Sequence, residues 1–305
     1  MYILAIETSC DDTSISILKD NQVLSCITKV NLEKFNAFGG IVPEIAARFH
    51  EQNILKATNE ALSKAEIDLK QINLVAYTKN PGLVNCLFVG EIFAKTLANL
   101  LNVECLPLNH IEGHILSPFI NSMPDYPFLS LIASGKTTSI FLVNSVNDIQ
   151  ELSKTVDDAI GETFDKIGKK LGYPYPGGPN IDKHFDINKA TIDFSIKNDS
   201  NNFSFSGIKN KVFTYINKQG DQLENKRIEI GSSFMKTAID LIVKKLEKYS
   251  KQYSCKTICI GGGVASNSYF KQEIAKTFVN NYIPKKEYAT DNAAMIGYLA
   301  YLKKN

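Results

Sequence analysis

YILAIETSCDDTSISIL, residues 2–18, decides how this chain folds. Residues 2–6 are an apolar run, and the acidic and hydroxylated stretch Glu7 to Asp12 interrupts it. In residues 13–18, Ile15 and Ile17 alternate with Ser14 and Ser16, the period of a half-buried strand. The unit is therefore strand, acidic turn, strand. A second unit of this kind occupies residues 128–143, where FLSLI leads into ASGK and then into the β-branched run TTSIFLV. Two such units about one domain apart predict a duplicated architecture. The length of 305 residues agrees with two domains, at roughly 150 residues each.

The remainder alternates between helical and strand patterns. Residues 43–65 read as a helix with Pro43 in its first turn, and residues 73–77 (NLVAY) as a strand. The turn Asn80-Pro81-Gly82 leads into a helix over 85–100, and residues 157–171 form a helix stopped by Gly172. Met235, Ile239, Ile242 and Leu246 mark one stripe of an amphipathic helix over 234–248. Residues 256–260 are a buried strand, a helix follows from about Ser266, and residues 291–303 form the last helix. This alternation is that of an α/β protein. NDSNN, residues 198–202, reads as a surface loop.

Composition narrows the function classes. The chain is 44% hydrophobic and 22% charged, which excludes a disordered tail protein. Its 34 basic and 32 acidic residues leave a net charge of +2, so any nucleic-acid contact needs a local patch. No apolar run approaches the ~18 residues of a membrane span, and the N-terminus has no basic n-region and reaches Glu7 too soon for a signal peptide. None of the six cysteines forms C-x-x-C, which fits a reducing cytoplasm.

Four features can carry chemistry. In HIEGH, His110 and His114 are four apart, so on a helix both imidazoles reach one cation; the alternative is two polar residues on a half-exposed helix. Glu112 points elsewhere, so this is not the metalloprotease H-E-x-x-H. Asp291 in TDNAAM reads as an ordinary helix N-cap, or as a third ligand if the fold brings it to the histidines. Gly261-Gly262-Gly263 and Gly177-Gly178 permit close backbone approach to a ligand, or are simply turns. SGKTT, residues 134–138, is not a P-loop: Ser130 stands where the first glycine belongs, and a strand follows. The acidic turn itself offers a base, a cation site or a solvated loop. His50 and His184 join no constellation.

Taken in order, ETSCDDT, NPGLV, HIEGH, SGKTT, GETFDK, YPGGP, FSFSGIK, GGGVASN and TDNAAM resemble the bacterial TsaD family along nearly the whole chain. The resemblance implies two ribonuclease-H-like lobes of the actin-like and sugar-kinase class around a central cleft. They would span residues 1–107 with 289–305, and residues 108–288. It implies a metal, iron(II) or alternatively zinc, on His110, His114 and Asp291. Substrate-binding positions follow at Ile132, Ala133, Ser134, Gly135, Lys136, Asp165, Gly178, Asp182 and Asn267, with Asp11 as a catalytic residue.

The implied reaction is acyl transfer: the threonylcarbamoyl group of L-threonylcarbamoyladenylate moves to the exocyclic amine of adenosine 37 in ANN-decoding tRNA, releasing AMP. TsaB-like and TsaE-like proteins are the implied partners, with first-lobe helices as the contact surface. Lys244-Lys245 and Lys285-Lys286 are candidate phosphate contacts. Two departures stand out. SGKTT replaces the family's SGGHT, and NPGLVN replaces GPGLVG. The rival readings are a non-catalytic TsaB-like scaffold, an ATP-dependent kinase or ATPase of the same fold, and a metallopeptidase.

Overall fold

The computed structural model describes residues 1–30, 42–197 and 200–305. The loop expected at 198–202 therefore lies partly outside the described residues. The chain divides into two compact units, Met1–Pro124 with Pro284–Asn305, and Asp125–Ile283.

The first unit is built on the opening hairpin. β1 (Tyr2–Glu7) pairs antiparallel with β2 (Thr13–Lys19), and β2 pairs antiparallel with β3 (Gln22–Lys29). α1 (Pro43–Ala65) begins with proline at its first turn and ends at Glu66 in the left-handed region (φ 55°). β4 (Leu74–Asn80) lies parallel to β1, α2 (Val84–Leu101) follows, and β5 (Glu104–Asn109) lies parallel to β4. The strand order is β3-β2-β1-β4-β5. Leu4, Ile6, Ile15, Ile17, Val75 and Tyr77 pack on Ile54, Ala57, Ala61, Ala94 and Leu97 of α1 and α2. Directly after β5 comes α3 (His110–Leu116).

The second unit repeats this plan. β6 (Phe128–Ala133), β7 (Thr138–Ser145) and β8 (Asp148–Lys154) form the antiparallel part. The helices are α4 (Ile160–Lys170), α5 (Gly177–Lys183), α6 (Ser206–Asn217), α7 (Leu223–Tyr253) and α8 (Ser268–Thr277). β9 (Thr257–Gly261) lies parallel to β6, and the short β10 (Asn280–Tyr282) parallel to β9. The order β10-β9-β6-β7-β8 is that of the first sheet with each strand replaced by its counterpart. The duplication read from two hairpins is thus a shared topology, that of the ribonuclease-H-like fold. The core gathers Leu129, Leu131, Phe164, Phe203, Phe205, Phe234 and Ile239.

The last helix, α9 (Ala293–Lys304), packs with β1, β2 and α3 in the first unit. It lies so close to the sheet that a Cβ on Gly297 would stand 2.1 Å from Leu18 Cδ1. The sequence division at 107/108 assigned α3 to the second lobe; in the structure α3 packs on α9 within Met1–Pro124 and Pro284–Asn305.

Two sequence readings need correction. α2 is 18 residues long and, by length and average composition, apolar enough to cross a membrane, although Glu91 and Lys95 interrupt it. Those two form an ion pair, with Lys79 on the other Glu91 oxygen, and the pair of lysines holds the Glu91 carboxyl down to about 2. Lys245 is also no phosphate contact. It is 8% exposed, and its ammonium donates to the carbonyls of Ser200, Asn201 and Asn202. Burial and neighbouring Lys248 lower its pKa to about 8.

Candidate functional site

Asn109, the last residue of β5, caps α3: its side chain accepts from the amides of Ile111 and Glu112. The cap starts the helix at His110 and puts His110 and His114 on one face, four residues apart. Glu112 leaves that face and pairs with Lys303 at 2.7 Å. Gly113, between the histidines, permits close approach to α9; a Cβ there would lie 3.0 Å from Ile296 Cδ1 and 3.1 Å from Met295 Cγ.

The cap of α9 is Asn292, whose side chain accepts from Met295 N at 3.0 Å. The N-cap reading of Asp291 was therefore wrong by one residue, and the Asp291 carboxylate turns to the histidines instead. Its Oδ1 lies 3.0 Å from His114 Nε2 and 3.5 Å from His110 Nε2, and the two Nε2 atoms are 3.1 Å apart. Two neutral imidazoles cannot both donate along that line. Ligand atoms around a tetrahedral cation stand roughly 3.3 Å apart, so the observed spacing fits a single metal site. Among the described residues this is the cluster of three such side chains close enough to share an ion.

Behind His110 lies Glu7, 1% exposed. Glu7 Oε2 is 3.0 Å from His110 Nδ1 and accepts from the Thr78 hydroxyl; Oε1 accepts from Ser9 N at 2.6 Å. Burial pushes the Glu7 carboxyl up, but its electrostatic and hydrogen-bond interaction with His110, helped by Ser9, outweighs it and holds the group below its ordinary value. Asp12 behaves oppositely. Burial, then the charges of Asp11, Asp291 and Glu7, raise it to about 7, and its Oδ1 is buried without a hydrogen bond. Asp11 sits half-buried in the same turn.

The NPGLV segment supports that turn. Leu83 N donates to Ser9 O at 2.8 Å, and a Cβ on Gly82 would lie 2.5 Å from the same oxygen. Of the asparagines that flank this segment, Asn80 accepts from Asn109 Nδ2 at 3.3 Å.

In the second unit, Ser134 Oγ accepts from Lys136 N and Thr137 N, so SGKTT is a closed turn before strand β7. Two glycines crowd it. A Cβ on Gly161 would lie 2.6 Å from Ser134 O, and one on Gly262 (φ +89°) 2.4 Å from Ala133 O. Ile132 and Ala133 are buried at the end of β6, while Gly135 and Lys136 are exposed. Asp165 Oδ1 accepts from Gly177 N at 2.7 Å and Gly178 N at 3.4 Å, at the start of α5. Both Asp182 oxygens accept from Ser268, and Asn267 caps α8 by accepting from Phe270 N. These acidic and amide side chains brace backbone turns. Sequence reasoning missed Glu7, Thr78, His50, Gly113 and Ser268 as individual participants, although Glu7 lies in the acidic turn that it singled out.

The family described as tRNA N6-adenosine threonylcarbamoyltransferase, TsaD, matches residues 22–298. A Malacoplasma penetrans protein named tRNA N6-adenosine threonylcarbamoyltransferase is 63% identical, with all of both chains covered. A Ureaplasma parvum protein of the same name is 44% identical over 98% of this chain and 94% of that one. Among solved structures, T. kodakarensis HypF is similar in fold, with a TM-score of 0.65 at 14% identity over 99% of this chain and 47% of that one. The Acidaminococcus fermentans (R)-2-hydroxyglutaryl-CoA dehydratase component A has a TM-score of 0.57 at 13% identity over 99% and 98%. The chain belongs to the TsaD family of tRNA N6-adenosine threonylcarbamoyltransferases.

Proposed function

We propose that this protein transfers the threonylcarbamoyl group of L-threonylcarbamoyladenylate to the N6 amine of adenosine 37 in ANN-decoding tRNA. The observation that carries the reading is the meeting of His110, His114 and Asp291 in a chain of this family. The amine is a poor nucleophile because its lone pair is delocalised into the purine. The donor is therefore a mixed anhydride: a C–N bond forms at the carbamoyl carbon, the C–O bond to phosphate breaks, and AMP leaves with the electron pair.

Each residue has an assigned part. His110, His114 and Asp291 hold one divalent cation, iron(II) with zinc as the alternative. Such an ion, when bound, supplies a Lewis acid that orients the donor and offsets its developing charge. Asp11 takes or positions the proton that the amine loses. The backbone of Ile132–Lys136 and the turn at Gly178 cradle the donor, with Lys136 as a point charge for its anionic groups. Asp165, Asp182 and Asn267 keep those segments in shape through the bonds described above.

TsaB-like and TsaE-like proteins are the proposed partners. Val84, Phe88 and Ile92 form an exposed apolar stripe on α2, with Leu100 beyond it and Leu55 on α1, which supports a partner surface there. Exposed Lys244, Lys285 and Lys286 are the proposed tRNA phosphate contacts. The proposed location is the cytoplasm, where all six free cysteines are at home.

The test incubates the protein and both partners with unmodified tRNA and threonylcarbamoyladenylate, followed by nucleoside mass spectrometry. Threonylcarbamoyladenosine and AMP in equal amounts are expected. No modified nucleoside with a competent partner set supports the scaffold reading; a phosphorylated product supports the kinase reading.

A further inference from the structure

We propose that Glu7 is a positioning residue for metal binding: its carboxylate fixes His110 in the tautomer that turns an unprotonated Nε2 toward His114 and Asp291. The inference rests on the metal assignment above and adds to it a residue outside the ligand set.

Glu7 Oε2 and His110 Nδ1 are 3.0 Å apart in a buried setting. An ionised carboxylate only accepts hydrogen bonds. If Nδ1 carried no proton, its lone pair would face an oxygen lone pair at that distance with no water to separate them. Nδ1 therefore carries the proton, and Nε2 carries the lone pair. Ser9 Oγ, 3.1 Å from the same Nδ1, can share the proton as a second acceptor.

Glu7 is itself held from three sides. Ser9 N donates to one oxygen; the Thr78 hydroxyl and His110 donate to the other. Thr78 comes from β4 and Glu7 from the end of β1, two paired parallel strands. The imidazole is thus referenced to the sheet through a rigid acceptor, while its own helix supplies only the Cα position. A hydrogen-bonded carboxylate behind a metal-binding histidine fixes ring orientation and raises ligand basicity. His114 has no equivalent: its Nδ1 is buried without a hydrogen bond. The two histidines are therefore unequal, and His110 is the ligand set in advance.

Glu7→Gln keeps size and shape. Its amide nitrogen can turn to Nδ1 and donate, which would move the His110 proton to Nε2 and block ligation. The probe is Co2+, titrated into the whole metal-free chain and read by its visible ligand-field bands. Wild type is expected to bind one Co2+ per chain, and Glu7→Gln to bind it about 10- to 100-fold more weakly, with unchanged circular dichroism. Equal affinity and equal spectra in the two proteins would overturn the inference and leave the metal assignment standing. Wild type that takes up no Co2+ overturns both. A second measurement does not depend on the variant folding. In metal-free wild type labelled with 15N-histidine, His110 should show the Nδ1–H tautomer, and an Nε2–H signal for that ring overturns the inference.

Discussion

His50 Nε2 stands 3.1 Å from the carbonyl oxygen of Cys10, and the other ring nitrogen 2.8 Å from Thr13 Oγ1. The carbonyl can only accept, so Nε2 carries the proton and Nδ1 accepts from the Thr13 hydroxyl. One neutral, fully buried imidazole on α1 thus ties down both ends of the turn that holds Asp11 and Asp12. His50→Ala leaves a carbonyl and a hydroxyl unsatisfied in the interior, and should cost about 2–4 kcal/mol in urea unfolding.

The same residue predicts an acid limb of stability. Burial lowers the His50 pKa below its ordinary 6.5, against smaller opposing effects of the Cys10 carbonyl, Glu7 and Asp11. The unfolded chain then binds the proton more readily than the folded one. Stability is full above about pH 6.5 and falls as pH drops below it. His50→Gln should unfold with a shallower pH dependence between pH 6.5 and 5, measured as the difference in urea midpoint.

Asp12 gives a slope of opposite sign. Its folded pKa is about 7 against an ordinary 3.8, so the folded chain binds the extra proton between those values. Stability therefore declines as pH rises across that window, and the loss is complete above about 7. In chelator, Asp12→Asn should match wild type near pH 4.5 and melt higher at pH 8. The gain should be a few °C, given that 1 kcal/mol moves a chain of this size by roughly 2–4 °C. No difference at pH 8 would show that Asp12 is ionised in the fold without cost.

Much of this was legible in the sequence, for identifiable reasons. The alternation of Ile15 and Ile17 with Ser14 and Ser16 reports directly which faces of β2 differ, and α1 was marked at its start by Pro43. His110 and His114 were legible because spacing on one helix is local. From the local pattern alone Asp291 reads as a cap, since Asp and Asn stand side by side before α9 and both cap helices well; the family resemblance is what named it a ligand. Ser14 decides it: its Oγ accepts from Ala293 N at 2.9 Å, pinning the helix start to β2 so that Asn292 caps and Asp291 is released. Glu7 and His50 were illegible as individuals because their partners lie 103 and 40 residues away in sequence.

Gly113 tests whether the distance between α3 and α9 sets metal affinity. An added methyl presses on side-chain atoms, Ile296 Cδ1 at 3.0 Å and Met295 Cγ at 3.1 Å, and leaves the Met295 carbonyl at an ordinary 3.6 Å, so Gly113→Ala needs a shift of only a few tenths of an ångström and should be mild. A β-branched side chain has no such room. Gly113→Val should move His114 away from Asp291 and weaken Co2+ binding at least 10-fold, or about 1.4 kcal/mol. It should also remove most of the metal-dependent rise in melting temperature seen in wild type.

The exposed stripe on α2 predicts a separable phenotype. Phe88 and Ile92 are 55% and 63% exposed, so charged replacements cost the isolated chain little. Phe88→Glu with Ile92→Glu should leave the melting temperature and Co2+ binding unchanged and abolish co-elution with a TsaB-like partner in gel filtration. Retained co-elution would move the partner surface off α2.

Gly262 offers the sharpest test of the donor cradle. Its φ of +89° disfavours any L side chain, and a Cβ would meet the Ala133 carbonyl, which is backbone and cannot swing aside. Gly262→Ala therefore has to displace the end of β6 or the turn after β9, at a cost of about 1–3 kcal/mol for the strained backbone. The displaced segment is the one proposed to hold the adenylate. The KM for threonylcarbamoyladenylate should rise at least 10-fold, whereas Co2+ binding at His110, His114 and Asp291, which lie within the other compact unit, should not change. Steady-state kinetics beside a Co2+ titration separates the two effects. A variant that keeps its KM would take the donor away from the segments that Gly262 touches.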